Sequence, residues 1–378
     1  MMKETKKHIH GGNIYKASEQ YGLDMNNILD YSANINPLGM PQMLRDILIS
    51  GIDNLANYPD IECTQLVNSI SEYLAVDKSR IVVGNGAVEI IFLMFEVLRP
   101  KMVYMPAPTF AEYARAAEKY GVEVRFYELK EKDEFRLDMD DFMFQMPQEA
   151  GCIFLCNPNN PTSTLYEKHD LIKLCSFCRE RGVLLAIDEA FIELTVKGNQ
   201  NSMVEFLEEY NNLFVIRAFT KVFSIPGLRL GYGLGSREVI RQLWDAKLPW
   251  SVNALACSAG RALSCGQDYM DRTARWLEEE KCFMYNALKR IPFLKAFKPQ
   301  SNFILVKILS ENLTSYKLRD IMASEGILIR DASNFTYLNS SFFRIAVKDR
   351  KSNEKLLTTL DRVLKEYMSK QKGGKLFE

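Results

Sequence analysis

Between residues 81 and 234, seven short apolar runs alternate with segments of helical periodicity: Ile81–Val83, Met102–Met105, Val122–Tyr127, Cys152–Cys156, Val183–Ile187, Leu213–Ala218 and Leu230–Leu234. The alternation predicts an α/β fold with a mostly parallel sheet flanked by helices, because each parallel crossover needs a dozen or more residues that a helix can supply. One crossover helix is plain: Leu171, Leu174, Cys175 and Cys178 fall on one face, and Gly182 stands where it should stop. After Tyr269 the pattern changes. A long polar helix is expected over Arg275–Arg290, then four more runs at Leu294–Phe297, Asn302–Lys307, Ile327–Ile329 and Phe342–Val347, which read as a smaller α+β domain. The expected division is an N-terminal arm over 1–45 that contributes to the small domain and the site, a large domain over 46–270 and a small domain over 271–370, with polar residues 370–378 frayed.

The 378 residues are ample for a large buried core. Lys and Arg, 48 together, balance 48 Asp and Glu, so no global basic field favours nucleic acid or an anionic membrane. Apolar stretches such as Ile90–Phe95 fall far short of the roughly 18 residues of a membrane span. No apolar segment follows the lysines of Met1–Asn13, which predicts neither signal peptide nor anchor and hence a cytoplasmic protein. The eight cysteines read as small buried hydrophobes. Cys175 and Cys178 share an apolar helix face, no second pair stands at zinc-finger spacing, and His8 and His10 lack a carboxylate cluster, so no metal is expected. Gly231-Tyr232-Gly233-Leu234-Gly235 lacks the following helix that a dinucleotide fingerprint requires and reads as strand and turn.

Four segments carry chemistry. Lys221 stands just beyond the run Leu213–Ala218, with Thr220 before it and Arg229 after. Asp188 ends one run, and Asn160, in Asn157-Pro158-Asn159-Asn160-Pro161-Thr162, follows another. Gly84-Asn85-Gly86-Ala87-Val88-Glu89 joins a strand to a helix, a geometry that turns backbone N–H groups and the helix dipole toward an anion. In open α/β sheets, ligands sit outside the carboxyl ends of the strands, where these segments converge.

Together these residues resemble the aspartate-aminotransferase-like, class I and II family of pyridoxal-phosphate enzymes of fold type I, over most of the chain. The resemblance implies that Lys221 condenses with the cofactor aldehyde, that Asp188 pairs with the pyridine nitrogen and that Asn160 donates to the ring oxygen. It further implies that Thr220, Arg229, Gly86, Ala87 and Val88 hold the cofactor phosphate and that Phe110 stacks on the ring. Tyr58, in Asn57-Tyr58-Pro59-Asp60, resembles the tyrosine that reaches the phosphate of the neighbouring subunit, so a homodimer with shared sites is implied. Two departures stand out. Phe191 replaces a tyrosine common three residues after the aspartate, and Ala218 replaces a phosphate-binding hydroxyl three residues before the lysine.

Within the family two branches that act on phosphorylated amino compounds are most similar, the threonine-phosphate decarboxylases of cobalamin biosynthesis and the histidinol-phosphate aminotransferases. The opening His10-Gly11-Gly12-Asn13, the segment Asp30–Gly39, the string Arg330-Asp331-Ala332-Ser333-Asn334-Phe335 and Phe191 favour the decarboxylase branch. That branch implies substrate contacts from His10, Gly11, Asn34, Asn160, Arg330 and Arg344, the two arginines gripping phosphate or carboxylate by charge-assisted bonds. The aminotransferase is the alternative. A pyridoxal-phosphate-binding regulator is disfavoured, since no basic helix-turn-helix pattern precedes the large domain. Phosphothreonine and phosphoserine differ by one methyl group, and that choice stays open.

Overall fold

The computed structural model describes residues 11–374, except for the side chains of 264, 265 and 371–374. Its strands are β1 (Leu29–Asp30), β2 (Ile81–Gly84), β3 (Met102–Ala107), β4 (Glu123–Glu128), β5 (Cys152–Cys156), β6 (Leu184–Asp188), β7 (Leu213–Ala218), β8 (Gly231–Leu234), β9 (Leu294–Ala296), β10 (Phe303–Ile308), β11 (Ile327–Leu328), β12 (Arg330–Asp331) and β13 (Phe342–Ala346). The helices are α1 (Ile14–Tyr21), α2 (Gln42–Ser50), α3 (Thr64–Leu74), α4 (Ala87–Leu98), α5 (Glu112–Lys119), α6 (Met139–Phe144), α7 (Lys168–Glu180), α8 (Phe219–Val222), α9 (Arg237–Ala246), α10 (Ala254–Ala259), α11 (Gln267–Leu288), α12 (Ser315–Ser324) and α13 (Arg350–Gly374).

The seven expected runs form one sheet in the order β2-β8-β7-β6-β5-β3-β4. Its pairs are parallel except those of β8, which runs antiparallel to β2 and β7. The inner strands are covered on both faces, which is why their runs are mostly apolar, whereas the edge strand β4 alternates exposed and partly buried residues. Val82, Val103, Met105, Phe154, Phe214 and Ile216 pack with Ile90, Met94 and Phe95 of α4 and Ile240 and Leu243 of α9. The alternate residues, Ile81, Val83, Ile153, Leu155, Leu185, Ile187 and Val215, pack with Leu66 and Ile70 of α3, Phe142 of α6 and the predicted face of α7.

A four-stranded antiparallel sheet, β12-β13-β10-β9, packs with α11, α12 and α13 around Met284, Leu288, Ile304, Val306, Ile345, Leu356 and Leu360. Three boundaries differ from the sequence reading. Helix α11 begins at Gln267, eight residues before Arg275, because its buried stripe runs Tyr269, Thr273, Leu277, Glu280, Met284, Leu288 and two of those positions are polar. Apolar periodicity cannot see them. The run at Ile327–Ile329 leaves the antiparallel group: Leu29 and Asp30 of β1 pair in parallel with Ile327 and Leu328, and the sheet edge is taken by Arg330–Asp331. Helix α13 continues to Gly374, past the expected fraying at Lys370, since a helix anchored by Leu356, Leu360, Val363 and Leu364 extends at the cost of one residue per added bond. Among the described residues no helix is long and apolar enough to cross a membrane.

Candidate active site

A cavity of about 910 Å³ lies at the carboxyl ends of the parallel strands, and Lys221, Asp188, Asn160, Phe110, Arg330 and Arg344 line it. Ala87, Val88, Thr220, Arg229, Gly11 and Asn34 also reach it. Gly86 adjoins it as the residue that caps α4. His10 lies outside the described residues.

Lys221 sits on the one-turn helix α8, which follows β7 directly. Its position is fixed from the N-terminal arm: the Asn36 N–H donates to the Lys221 carbonyl at 3.2 Å, and Asn36 Nδ2 donates to the Val222 carbonyl at 3.0 Å and to Thr273 Oγ1 at 2.8 Å. Tyr269 Oη donates to the same Val222 carbonyl at 2.9 Å. Burial, reinforced by the cations of Arg344 and Arg229, pulls the Lys221 ammonium down to about 8, against the opposing pull of Asp188. A lysine so placed has a substantial neutral, nucleophilic fraction near neutral pH.

Asp188 ends β6 and is 5% exposed. The Ala190 N–H donates to its Oδ1 at 2.8 Å and Tyr113 Oη to its Oδ2 at 2.7 Å. Burial nonetheless pushes the carboxyl above its usual range, with these two donors and Lys221 opposing. Tyr113 was missed in the sequence. The signal was its spacing, one helical turn beyond Phe110, whose ring it meets edge-on at 5.5 Å. The Asn160 oxygen accepts from Arg344 Nη1 at 2.5 Å, which leaves the amide N–H₂ as donor. Asn159 buttresses the loop, donating to the Pro108 carbonyl at 2.9 Å and Thr162 Oγ1 at 2.8 Å.

Gly86 has φ +81°, and a Cβ there would run into the Arg229 guanidinium. Arg229, exposed at this rim, donates to the Pro226 carbonyl at 3.2 Å and the Asn85 carbonyl at 3.5 Å. It therefore faces the first turn of α4, whose N–H groups have no acceptor within the helix. Phe191 packs edge-on against Phe303 at 5.1 Å and lies 5.8 Å from Lys221 Nζ.

Arg330 and Arg344, 6% exposed each, are directly opposed in the β12–β13 register. Arg344 Nη2 donates to the Ser32 carbonyl at 2.7 Å, while Nε has no acceptor among the described residues. Arg330 Nη2 donates to Asn334 Oδ1 at 2.8 Å. Burial depresses both guanidinium groups, Arg330 adding to the effect on Arg344, while the carboxylates of Asp331 and Asp30 oppose it at Arg330 and Arg344 respectively; an arginine keeps its charge at neutral pH. Asn34 is 3% exposed, and among the described residues neither amide atom has a partner. Gly11 passes so close to Ser32 that a Cβ would strike its carbonyl, and the Gly12 N–H donates to Ser32 Oγ at 2.7 Å. Tyr58 lies elsewhere, 83% exposed and packed at 5.0 Å on Trp250.

The profile of the family described as aminotransferase class I and II matches residues 19–360. A threonine-phosphate decarboxylase of Salmonella typhimurium is 35% identical over 94% of this chain and 96% of its own. A putative threonine-phosphate decarboxylase of Caldanaerobacter subterraneus is 37% identical, over 95% of each. The crystal structure of a histidinol-phosphate aminotransferase from Clostridium acetobutylicum superposes with a TM-score of 0.83 at 36% identity, over 89% of this chain and 99% of that one.

Proposed function

The chain belongs to the class I and II aminotransferase family, and on that premise we propose that it is a pyridoxal-phosphate-dependent lyase that removes the carboxylate of L-threonine O-3-phosphate to give aminopropanol phosphate for the cobalamin nucleotide loop. The observation that carries this reading is the pair Arg330 and Arg344, directly opposed in register and both lining the cavity that holds Lys221. Two guanidinium groups suit a dianionic phosphate.

The residues fit the cofactor. A buried carboxyl raised by burial, as at Asp188, calls for a cationic ring nitrogen, and the unpartnered amide of Asn34 and free Nε of Arg344 call for polar ligand atoms in the same cavity. Lys221 would hold the aldehyde, Asp188 the ring nitrogen, Asn160 the ring oxygen, and Thr220, Arg229 and the backbone of Gly86, Ala87 and Val88 the phosphate, with Phe110 against the ring. When bound, pyridoxal phosphate supplies an electron sink for the pair left at the substrate α-carbon as carbon dioxide departs.

The chain's own residues decide which bond at that carbon breaks. Arg330 and Arg344 would hold the substrate phosphate and so fix the orientation of the α-carbon substituents, which selects the bond that breaks. Lys221 Nζ then returns a proton to the α-carbon as general acid, a task suited to a group titrating near 8. Gly11 and Asn34 complete the substrate site from the N-terminal arm. The arm's β1 strand, paired with β11, supports grouping 1–45 with the small domain of 271–370 beside a large domain of 46–270.

A second copy of the chain fits the surface that carries Tyr58. Ile49, Ile52, Leu55, Tyr58, Leu248 and Trp250 are each half or more exposed, an apolar set that a monomer rarely leaves open. Covered by a partner, this face brings Tyr58 to the neighbouring cofactor phosphate. A cytoplasmic location, the expectation from the sequence, is part of this proposal.

The likeness to a histidinol-phosphate aminotransferase structure keeps transamination as the second reading. Incubating cofactor-loaded protein with phosphothreonine, without a keto acid, separates them. Carbon dioxide and aminopropanol phosphate are expected; turnover that requires 2-oxoglutarate and yields glutamate overturns the lyase.

A further inference from the structure

Two thiols distant in sequence meet behind the Tyr58 surface. Cys63, which precedes α3, and Cys257, on α10, place their sulfur atoms 3.0 Å apart across 194 residues of chain. That is inside the usual contact of two unbonded sulfur atoms. Cys63 adopts φ +49°, a left-handed conformation that a residue with a side chain holds only where its surroundings impose it. The surroundings are visible: the Cys63 N–H donates to the Asp60 carbonyl at 3.0 Å, and Asp60 Oδ2 accepts from the Thr64 N–H at 2.8 Å, so the turn is tied on both sides of the cysteine. On the other side α10 is capped by Asn253, whose Oδ1 accepts from the Ala256 N–H at 2.9 Å.

The two sulfur atoms are chemically unequal. Cys257 donates its S–H to Cys63, and this bond, with the Lys247 cation adding to it, draws the Cys63 thiol down against burial and the carboxylates of Asp60 and Glu89. Cys63 is 3% exposed, whereas Cys257 keeps part of its surface open. A thiolate in a nearly closed site with a second thiol in contact suits a small oxidant and an immediate resolving partner.

We propose that Cys63 and Cys257 form a site of reversible oxidation by hydrogen peroxide, closing to a disulfide. The Cys63 thiolate attacks one peroxide oxygen, the O–O bond breaks, and the departing hydroxide takes a proton and leaves as water, so Cys63 becomes a sulfenic acid. Cys257 attacks that sulfur, the S–S bond forms, its proton goes to the departing hydroxide, and a second water leaves. Two thiols lose two electrons and one peroxide becomes two waters. A small dithiol reverses the bond by exchange. The link ties the loop bearing Tyr58 to the segment bearing Trp250 and Asn253. Asn253 Nδ2 also donates to the Leu228 carbonyl at 3.0 Å, next to Arg229 at the cavity rim.

The test uses the cofactor-loaded protein treated with a few equivalents of hydrogen peroxide, then denatured, alkylated and peptide-mapped without reduction. The expected product has lost two hydrogens, joins the peptides of Cys63 and Cys257, and reverts with dithiothreitol. Cys152, Cys156, Cys175 and Cys178, whose thiols burial pushes up, stay reduced as internal controls. In Cys257→Ser, dimedone should label Cys63. An unchanged mass, a link through a different cysteine, or a dimedone adduct on Cys257 of the unsubstituted protein in preference to Cys63 overturns the proposal.

Discussion

Arg330 and Arg344 occupy opposed positions of the antiparallel pair β12–β13, so their side chains leave the same face of the sheet toward one cavity. Like charges directly opposed across strands repel, and burial raises that cost. The arrangement is stable where something negative shares the space. Backbone carbonyls and amide oxygens of Ser32, Asn160, Asp331 and Asn334 accept from the pair, and the proposed substrate phosphate would add negative charge to the same space.

Arg330→Ala is therefore expected to weaken phosphothreonine binding by more than about 1.5 kcal/mol, the low end for a hydrogen bond to a charged group, or roughly tenfold in KM. Steady-state kinetics on the intact substrate checks it. Unchanged KM and rate would remove Arg330 from the substrate site.

The rate at which cofactor-free protein takes up pyridoxal phosphate should rise with pH as Lys221 loses its proton and level off above about 8. The sign follows from the neutral amine being the nucleophile. An unperturbed lysine would carry the rise on toward about 10.4. Stopped-flow absorbance across the pH range distinguishes the two.

Tyr113→Phe removes one of the two donors to the Asp188 carboxylate. The carboxyl should rise further, and cofactor affinity should fall by about 1.5 to 3 kcal/mol, the range for a bond to a charged group. Equilibrium titration of cofactor into the variant measures this, and thermal unfolding without cofactor separates loss of binding from loss of fold.

Gly86→Ala adds a Cβ against Arg229 at a backbone with φ +81°. A strained residue of this kind costs about 1–3 kcal/mol. Lower stability and weaker cofactor binding should appear together, because the same turn presents the start of α4. Denaturant unfolding and a cofactor titration report the two effects.

If Tyr58 completes the partner's site, mixing Lys221→Ala with Tyr58→Phe chains creates dimers in which one of the two sites is whole. Activity after subunit exchange should exceed the sum of the separate variants. Purely additive activity would place each site within a single chain.

Much of this was written locally. The central sheet was legible because most of its strands are buried on both faces, so Ile81–Gly84 or Leu213–Ala218 shows as a largely apolar run whatever its neighbours. Lys221, Asp188 and Asn160 could be picked out because each follows such a strand, where the chain must leave the sheet on the ligand side. What escaped was polar and long-range. Thr273 and Glu280 hide the true start of α11 because their burial depends on Asn36, Asn353 and Arg350, partners remote in sequence. Tyr113 reads as an ordinary aromatic until β6 brings Asp188 to its hydroxyl. The pairing of β1 with β11, the opposition of Arg330 to Arg344 and the contact of Cys63 with Cys257 likewise join positions that no local pattern links. Periodicity and turn chemistry act over a few residues and determined the elements. Packing, which lets a hydroxyl or a charge choose its partner across the whole chain, decided the site.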